Sequence, residues 1–493
     1  MTGNNQAFAD LMAYQRQTEA LAAVAERLGW DQETMMPAGA GAQRGEEMGA
    51  MEGVLHARRT NPRIGDWLAA ARPADDVQAA QVHHIRRSYD RAMKIPGALA
   101  EALAVATSAA QGVWAAAREA ERVADFLPTL QEVIYLRRQE AECLAQGGDL
   151  YDALLDDYEP GATAESLGAM FGAMLPRLRA LRGAVLEAEA PAPLRGTFPQ
   201  EAQLAIAREL ATAYGYDWHH GRMDLAVHPF SAGTASDSRI TTRVVEGDPF
   251  NCFYSTIHEV GHSSYELNIA APYKLTPLGR GVSMGVHESQ SRIYENQIGR
   301  SRGFTAFIHD KMVARFGDLG LPDAEAFYRA VNRVHSGFIR TEADEVHYNL
   351  HIILRFDLER ALIRGDLAAG DLEAAWNDRF VKDFGVAVDR PRHGMLQDVH
   401  WSVGLFGYFP TYSLGNVYAG CLLKALRRDL PDWDAGLAQG DTAAPVGWLR
   451  ENLQRHGGLR LPCETLEHAC GFAPSELPLL DYLEAKFGDL YRL

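Results

Sequence analysis

The sequence predicts a mainly α-helical protein: a large single body with a deep groove and one small β-sheet. Three observations carry that prediction. Apolar residues recur at helical spacing through most of the chain, beginning with Phe8, Leu11, Met12, Leu21, Ala22 and Leu28. Strand-type signals are confined to one short stretch, Met223 to Arg243. No Ser/Gly-rich linker divides the 493 residues into independent units. A single domain over 1–493 is therefore expected, with an N-terminal helical sub-region over 1–200 and a second sub-region over 201–493 that carries the groove.

Taken in order, the first helix covers Phe8–Leu28, and Trp30 to Pro37 reads as a turn with glycines after it. Helical patterning resumes over Gln43–Arg58, Asp75–Lys94, Pro96–Val123, Phe126–Ala145 and Ala164–Glu187. The connectors carry the expected punctuation, Asn61-Pro62, Gly147-Gly148, Pro160-Gly161 and Ala190-Pro191-Ala192-Pro193. Pro199–Gly215 is another helix. Met223–Phe230 and Asp237–Arg243 then read as two short strands, a small hairpin or sheet, around a polar loop over Ser231–Ser236. A helix opens at Asp248-Pro249, where Asp248 is placed to cap free N–H groups and Pro249 suits the first helical position. After a connector over Ala271–Gly285 come helices at Ser283–Gly299, Phe304–Phe316, Ala324–Thr341, Asp344–Arg364 and Asp371–Phe384. The C-terminal third is helical, with loops near Asp389–Gly394, Asp429–Pro445 and Gly457–Glu464.

Composition narrows the classes of function. Hydrophobic residues make up 47% of the chain, enough for a sizeable core, and the net charge is −17. With no concentrated basic stripe, nucleic acid is not expected as a partner. The most apolar run, Ala98 to Ala117, is broken by Glu101, Ser108 and Gln111, so it reads as an alanine-rich helix and no membrane association is expected. Met1 to Asp10 shows neither a basic region nor a long apolar run, and no secretory signal is read there. Five scattered cysteines, Cys143, Cys252, Cys421, Cys463 and Cys470, form no C-x-x-C pair. They fit reduced thiols and a cytoplasmic location.

The chemistry centres on His258-Glu259-Val260-Gly261-His262, an instance of H-E-x-x-H. Residues four apart share one face of a helix, so His258 and His262 can offer imidazole nitrogens to one metal ion. Glu259 lies beside them, suited to accept a proton from water. A catalytic zinc site takes three protein ligands. The strongest third candidate is Glu288, 26 residues after His262 on the next helix, with His287, Glu295 and Glu266 as alternatives. A third histidine six residues after His262 is ruled out, because position 268 is Asn268. Two imidazoles and a carboxylate suit zinc, and cobalt is tolerated by the same donors.

Several further segments, in order along the chain, resemble the signatures of the carboxypeptidase Taq family of zinc metallopeptidases. They are His228-Pro229-Phe230, Asp237 to Thr241 (D-x-R-x-T), His258 to His262, His287 to Gln290, Ile339 to Asp344 (I-R-x-x-A-D) and Gly394 to Trp401 (G-x-x-Q-D-x-H-W). Trp30-Asp31 to Pro37 is also similar. The resemblance implies a helical fold with a long groove, one metal ion at its floor, and a homodimer. It implies removal of single residues from peptide C-termini with broad specificity. Carried over, it makes His258, His262 and Glu288 the ligands and Glu259 the base.

Recognition of a free carboxylate calls for an arginine, whose fork matches two oxygens. Arg239 and Arg340 are the candidates, each with a competing role in an ion pair with Asp237 or Asp344. His228 is expected to line or block one end of the groove, or else to sit in the core. His400 and Tyr412 are candidates to stabilise a tetrahedral oxyanion, Tyr412 from a loop-to-helix junction. Trp30 and Trp401 read as core. Two rival functions are an endo-acting zinc oligopeptidase of similar fold and a catalytically dead peptide-binding protein.

Overall fold

A computed structural model describes residues 3–493. Met1 and Thr2, the start of the stretch read for a leader, lie outside the described residues. Among the described residues the chain forms nineteen α-helices and three short strands. No helix among them is long and apolar enough to cross a membrane.

The first helix runs over Gly3–Thr34, past the turn expected at Trp30. The Trp30 ring is buried, with the guanidinium groups of Arg239 and Arg222 4.3 and 5.0 Å from its centre. The chain leaves the helix at Met35 and Met36, whose N–H groups both donate to the Asp31 carbonyl, just before Pro37. A short helix not expected from the sequence, Pro62–Ala70, follows Asn61, whose side chain accepts from the Arg63 N–H. Its Ile64 and Leu68 meet Leu11 and Ile85 in a small core separate from the main one. The helix expected over Pro96–Val123 ends at Ala120, and the next begins at Val123. The two residues between them include Glu121 in a left-handed conformation.

The sheet has three strands, β1 (Met223–Leu225), β2 (Ser231–Ala232) and β3 (Arg239–Thr242), in the order β1-β3-β2. β1 runs parallel to β3 and β2 antiparallel to it, so the arrangement is a sheet and not a simple hairpin. The first strand stops early, near a proline that cannot donate to the ladder. Part of the expected loop then pairs instead. On β3, Ile240 is fully buried, and the Thr242 hydroxyl donates to the Cys252 carbonyl at 3.0 Å. That bond docks the sheet on the helix Pro249–Asn268. Pro249 stands at the first position as predicted, but Asp248 makes no side-chain cap.

The following helix, Met284–Arg292, is capped by Ser283. The single helix expected over Ser283–Gly299 changes winding at Ile293 and continues to Gly299 as a π-helix. Such segments are rare and concentrate at functional sites. The helix expected over Ala324–Thr341 ends at Val331. Beyond it, distant side chains claim the backbone: the Tyr491 hydroxyl takes the Val334 N–H, Asp344 takes the His335 N–H, and Gln397 donates to the Phe338 carbonyl. Asp344 also caps the helix Glu345–Arg364. A last long helix, Pro410–Asp429, packs across Met284–Arg292 and against Leu477–Tyr491. A cavity of about 270 Å³ opens between the N-terminal helices and the segment Pro277–Val282, lined by Glu19, His84, Arg87, Arg280 and Gly281 among others.

Candidate metal centre

His258 and His262 project from one face of Pro249–Asn268, as their spacing requires. Glu288 meets them from Met284–Arg292. Its Oε2 lies 3.6 Å from Nε2 of His258 and 3.3 Å from Nε2 of His262. One ligand atom from each of the three lies within 4.8 Å of the others, and among the described residues no other such group of His, Cys, Asp or Glu occurs. Two glycines allow this convergence. A Cβ on Gly261 would stand 2.6 Å from the Gln290 carbonyl oxygen, and one on Gly415 would stand 2.3 Å from Cγ of Glu288. The glutamate helix is thus seated between two helices at backbone distance.

The far nitrogen of each imidazole is already engaged. Nδ1 of His258 lies 2.9 Å from Glu295, on the π-helix. Nδ1 of His262 lies 2.6 Å from Nδ1 of His287. Glu295 and His287, two of the alternative ligands, therefore stand behind the histidines. Glu266, the third alternative, lies 3.0 Å from Nε2 of His287. Arg292 donates through Nε to the other oxygen of Glu288 at 2.7 Å, and its guanidinium lies 4.2 Å from the centre of the Tyr348 ring.

Charge follows from these contacts. Burial alone would raise the Glu288 carboxyl, but Arg292, His258 and His262 hold it well below the usual carboxylate range. Burial pushes His262 down to about 3, so its imidazole is neutral and offers a lone pair. Glu295 is held down at about 2 against burial, by His258 and Arg292. Glu259 is pushed up to about 7 by burial, opposed by His258 and assisted by Glu288 and Glu295. His258 is raised against burial by Glu288 and Glu295, so it trades a proton for an ion, and with neutral His262 and ionised Glu288 it forms a donor set that fits a divalent ion.

The sequence profile described as Carboxypeptidase Taq (M32) metallopeptidase matches residues 10–487. The chain belongs to this family. It is a metal-dependent carboxypeptidase, a peptide hydrolase that works with a divalent metal ion. It is 41% identical to thermostable carboxypeptidase 1 of Thermus thermophilus over 505 aligned positions, covering 98% of this chain and 99% of that one. It is 33% identical to carboxypeptidase 1 of Bacillus subtilis, covering 94% of each. The crystal structure of the M32 carboxypeptidase from Deinococcus radiodurans R1 superposes with a TM-score of 0.96 at 38% identity, covering 99% of this chain and 100% of that one. Metallocarboxypeptidase 1 of Trypanosoma cruzi gives 0.95 at 33% identity, with the same coverage.

In this carboxypeptidase Tyr412 and His400 lie together, with the Tyr412 hydroxyl 3.2 Å from Nε2 of His400. Burial keeps Tyr412 protonated, well above the ordinary tyrosine range, and holds His400 down at about 3. Arg340 is buried beside them, its guanidinium 4.8 Å from the centre of the Tyr412 ring. Its ion-pair partner is Asp398, at 2.9 Å, rather than Asp344. Asp398 pairs also with Arg355, which is fully buried. Arg340 further donates to the Tyr348 hydroxyl at 3.1 Å, which links it through Arg292 to Glu288. Arg239 does pair with Asp237, at 2.8 Å, and lies over Trp30. Its contacts belong to the sheet and the first helix, apart from the Arg340 cluster. His228 is exposed, which removes the core reading for it. Trp30 and Trp401 are buried as expected. Sequence patterns alone assign no role to Arg292, Tyr348, Arg355 or Asp398. Arg292 was findable, because it stands four residues after Glu288 on one helix, where opposite charges meet.

Proposed function

We propose that the ion is zinc, with cobalt accommodated by the same donors, one per chain, held by Nε2 of His258, Nε2 of His262 and Oε2 of Glu288. The convergence of those three atoms carries the reading. When bound, such an ion supplies Lewis acidity and makes water a nucleophile at neutral pH. Glu259 takes the proton of the attacking water on its carboxylate and returns it to the leaving amine. A carboxyl near 7 is matched to that exchange. The Tyr412 hydroxyl donates to the oxyanion, and Nε2 of His400 orients it.

Arg340 takes the substrate's terminal carboxylate in this reading. The support is electrostatic. Arg340 and Arg355 share one carboxylate, Asp398, so two positive groups face one negative group in a buried cluster. The surplus positive charge favours an anion. Arg239 is the second candidate, already paired with Asp237. Exposed His228 fits the rim of the groove. The resulting activity removes single residues from peptide C-termini with broad specificity. The free thiols support a cytoplasmic location. We read 1–493 as one metallopeptidase domain, with an N-terminal helical sub-region over 1–200 and the metal site and groove in 201–493, and the family as supporting a homodimer.

The test is a pair of peptides that differ only in a free or amidated C-terminus. The amide is neutral and cannot accept two charge-assisted bonds from a guanidinium. Loss of a buried pairing of this kind costs on the order of 2–5 kcal/mol. The expected fall in kcat/KM is roughly thirtyfold to several-thousandfold. Equal cleavage of both peptides at internal bonds would replace this reading with the endo-acting oligopeptidase.

A further inference from the structure

The two histidines of the centre are backed differently. His258 turns its Nδ1 to a carboxylate, Glu295, at 2.9 Å. His262 turns its Nδ1 to another histidine, His287, at 2.6 Å. Between two ring nitrogens at that distance one must donate and the other accept. The far side of His287 decides which. Its Nε2 lies 3.0 Å from Oε1 of Glu266, and that same oxygen accepts the Gly281 N–H at 2.9 Å. An oxygen fixed as an acceptor by a backbone donor asks His287 to carry its proton on Nε2. In a neutral ring Nδ1 is then bare and accepts from Nδ1–H of His262. His262 is left with its lone pair on Nε2, the atom that faces Glu288 at 3.3 Å.

We infer that Gly281, Glu266 and His287 form a hydrogen-bond relay that fixes the tautomer of His262, and that Glu266 and His287 are positioning residues for the metal ion. This rests on the ligand assignment proposed above. Both side chains are themselves possible ligands by residue type, yet neither contributes to the converging group. Glu266 is buried, and its place on the same helix as His262, one turn further on, lets a single helix supply both the ligand and the far end of its relay. Loss of a group that holds a ligating imidazole from behind typically lowers metal affinity by roughly 10–100-fold.

The experiment uses the full chain and zinc, with affinity read by competition against a chromophoric chelator. His287→Phe and Glu266→Leu remove an acceptor and should each weaken zinc roughly 10–100-fold. His287→Asn and Glu266→Gln each keep an oxygen acceptor in the chain of bonds and should recover most of that loss. The melting temperatures of the metal-free forms should match within each pair, which separates tautomer control from simple packing. Native affinity in both Phe and Leu variants, or no recovery in either Asn or Gln, would overturn the relay. Should one pair fail to fold, the other tests the same chain of bonds from its other end. Glu288→Ala serves as reference. If it holds zinc as tightly as the native chain, the ligand assignment fails and the relay with it. If that gap stands while all four relay variants match the native chain, the relay alone is wrong.

Discussion

In the proposed mechanism Glu259 carries the proton, and its surroundings explain why a carboxyl suits that task. It is 5% exposed, and among the described residues no hydrogen-bond donor engages its side chain. A carboxyl tied into an ion pair would not give up and regain a proton easily; this one is untied and held near neutrality. Glu259→Gln should therefore keep metal content near native by elemental analysis while turnover falls roughly a hundredfold or more. Loss of metal together with activity would mean that Glu259 holds the ion instead. At this scale the sequence was most readable where residues sit one helical turn apart, as His258 with His262; Glu288 with Arg292 has the same spacing and was overlooked. It was least readable for Arg340. Its partner Asp398 lies 58 positions away on a separate loop. Spacing along the chain cannot report such a pair, and the nearer acid, Asp344, was already committed to capping a helix.

At the scale of elements the centre depends on helices meeting at backbone distance. Gly415 belongs to Pro410–Asp429, and its missing side chain is where Glu288 passes. Alanine favours a helix over glycine by about 1 kcal/mol, so Gly→Ala at an open helical site should stabilise. At Gly415 the added Cβ would fall 2.3 Å from Cγ of Glu288, and the helices must part. Overpacking of this kind costs about 1–3 kcal/mol. Gly415→Ala should lower both the melting temperature and zinc affinity, whereas Gly172→Ala, with nothing within 4 Å of its added Cβ, should leave both unchanged or raise stability slightly. Equal behaviour of the two variants would show that the close crossing does not constrain the centre. The elements themselves were legible where periodicity ran uninterrupted, as in Ala164–Glu187 and Glu345–Arg364. They were misread where tertiary partners took over the backbone. Residues 332–339 continue a helical pattern, yet Tyr491, Asp344 and Gln397 hold that stretch open. The π-winding at Ile293–Gly299, which brings Glu295 to His258, likewise leaves no mark in apolar spacing.

For the whole molecule, the proposed ligand assignment makes the ion a fastener between helices that otherwise bring buried charge together. The three proposed donors come from two helices, and a third helix, Pro410–Asp429, presses on the glutamate. The unfolded chain has no such arrangement, so the ion binds the folded form preferentially. A ligand with that preference stabilises by RT ln(1 + [L]/Kd), or about 2.7 kcal/mol at a hundredfold excess over Kd. Unfolding entropy of about 2.1 cal/mol/K per residue gives roughly 1 kcal/mol per degree for a chain of 493 residues. Zinc at that excess should thus raise the melting temperature by roughly 2–3 °C over the chelated form, and each further tenfold should add about 1 °C. Glu288→Ala should melt at the same temperature with and without zinc over that range. A melting temperature of the native chain that does not move with zinc would mean that the ion gains nothing from the folded arrangement, and the assignment of His258, His262 and Glu288 as its holders would fall. A shift that survives in Glu288→Ala would instead move the holding role to other side chains.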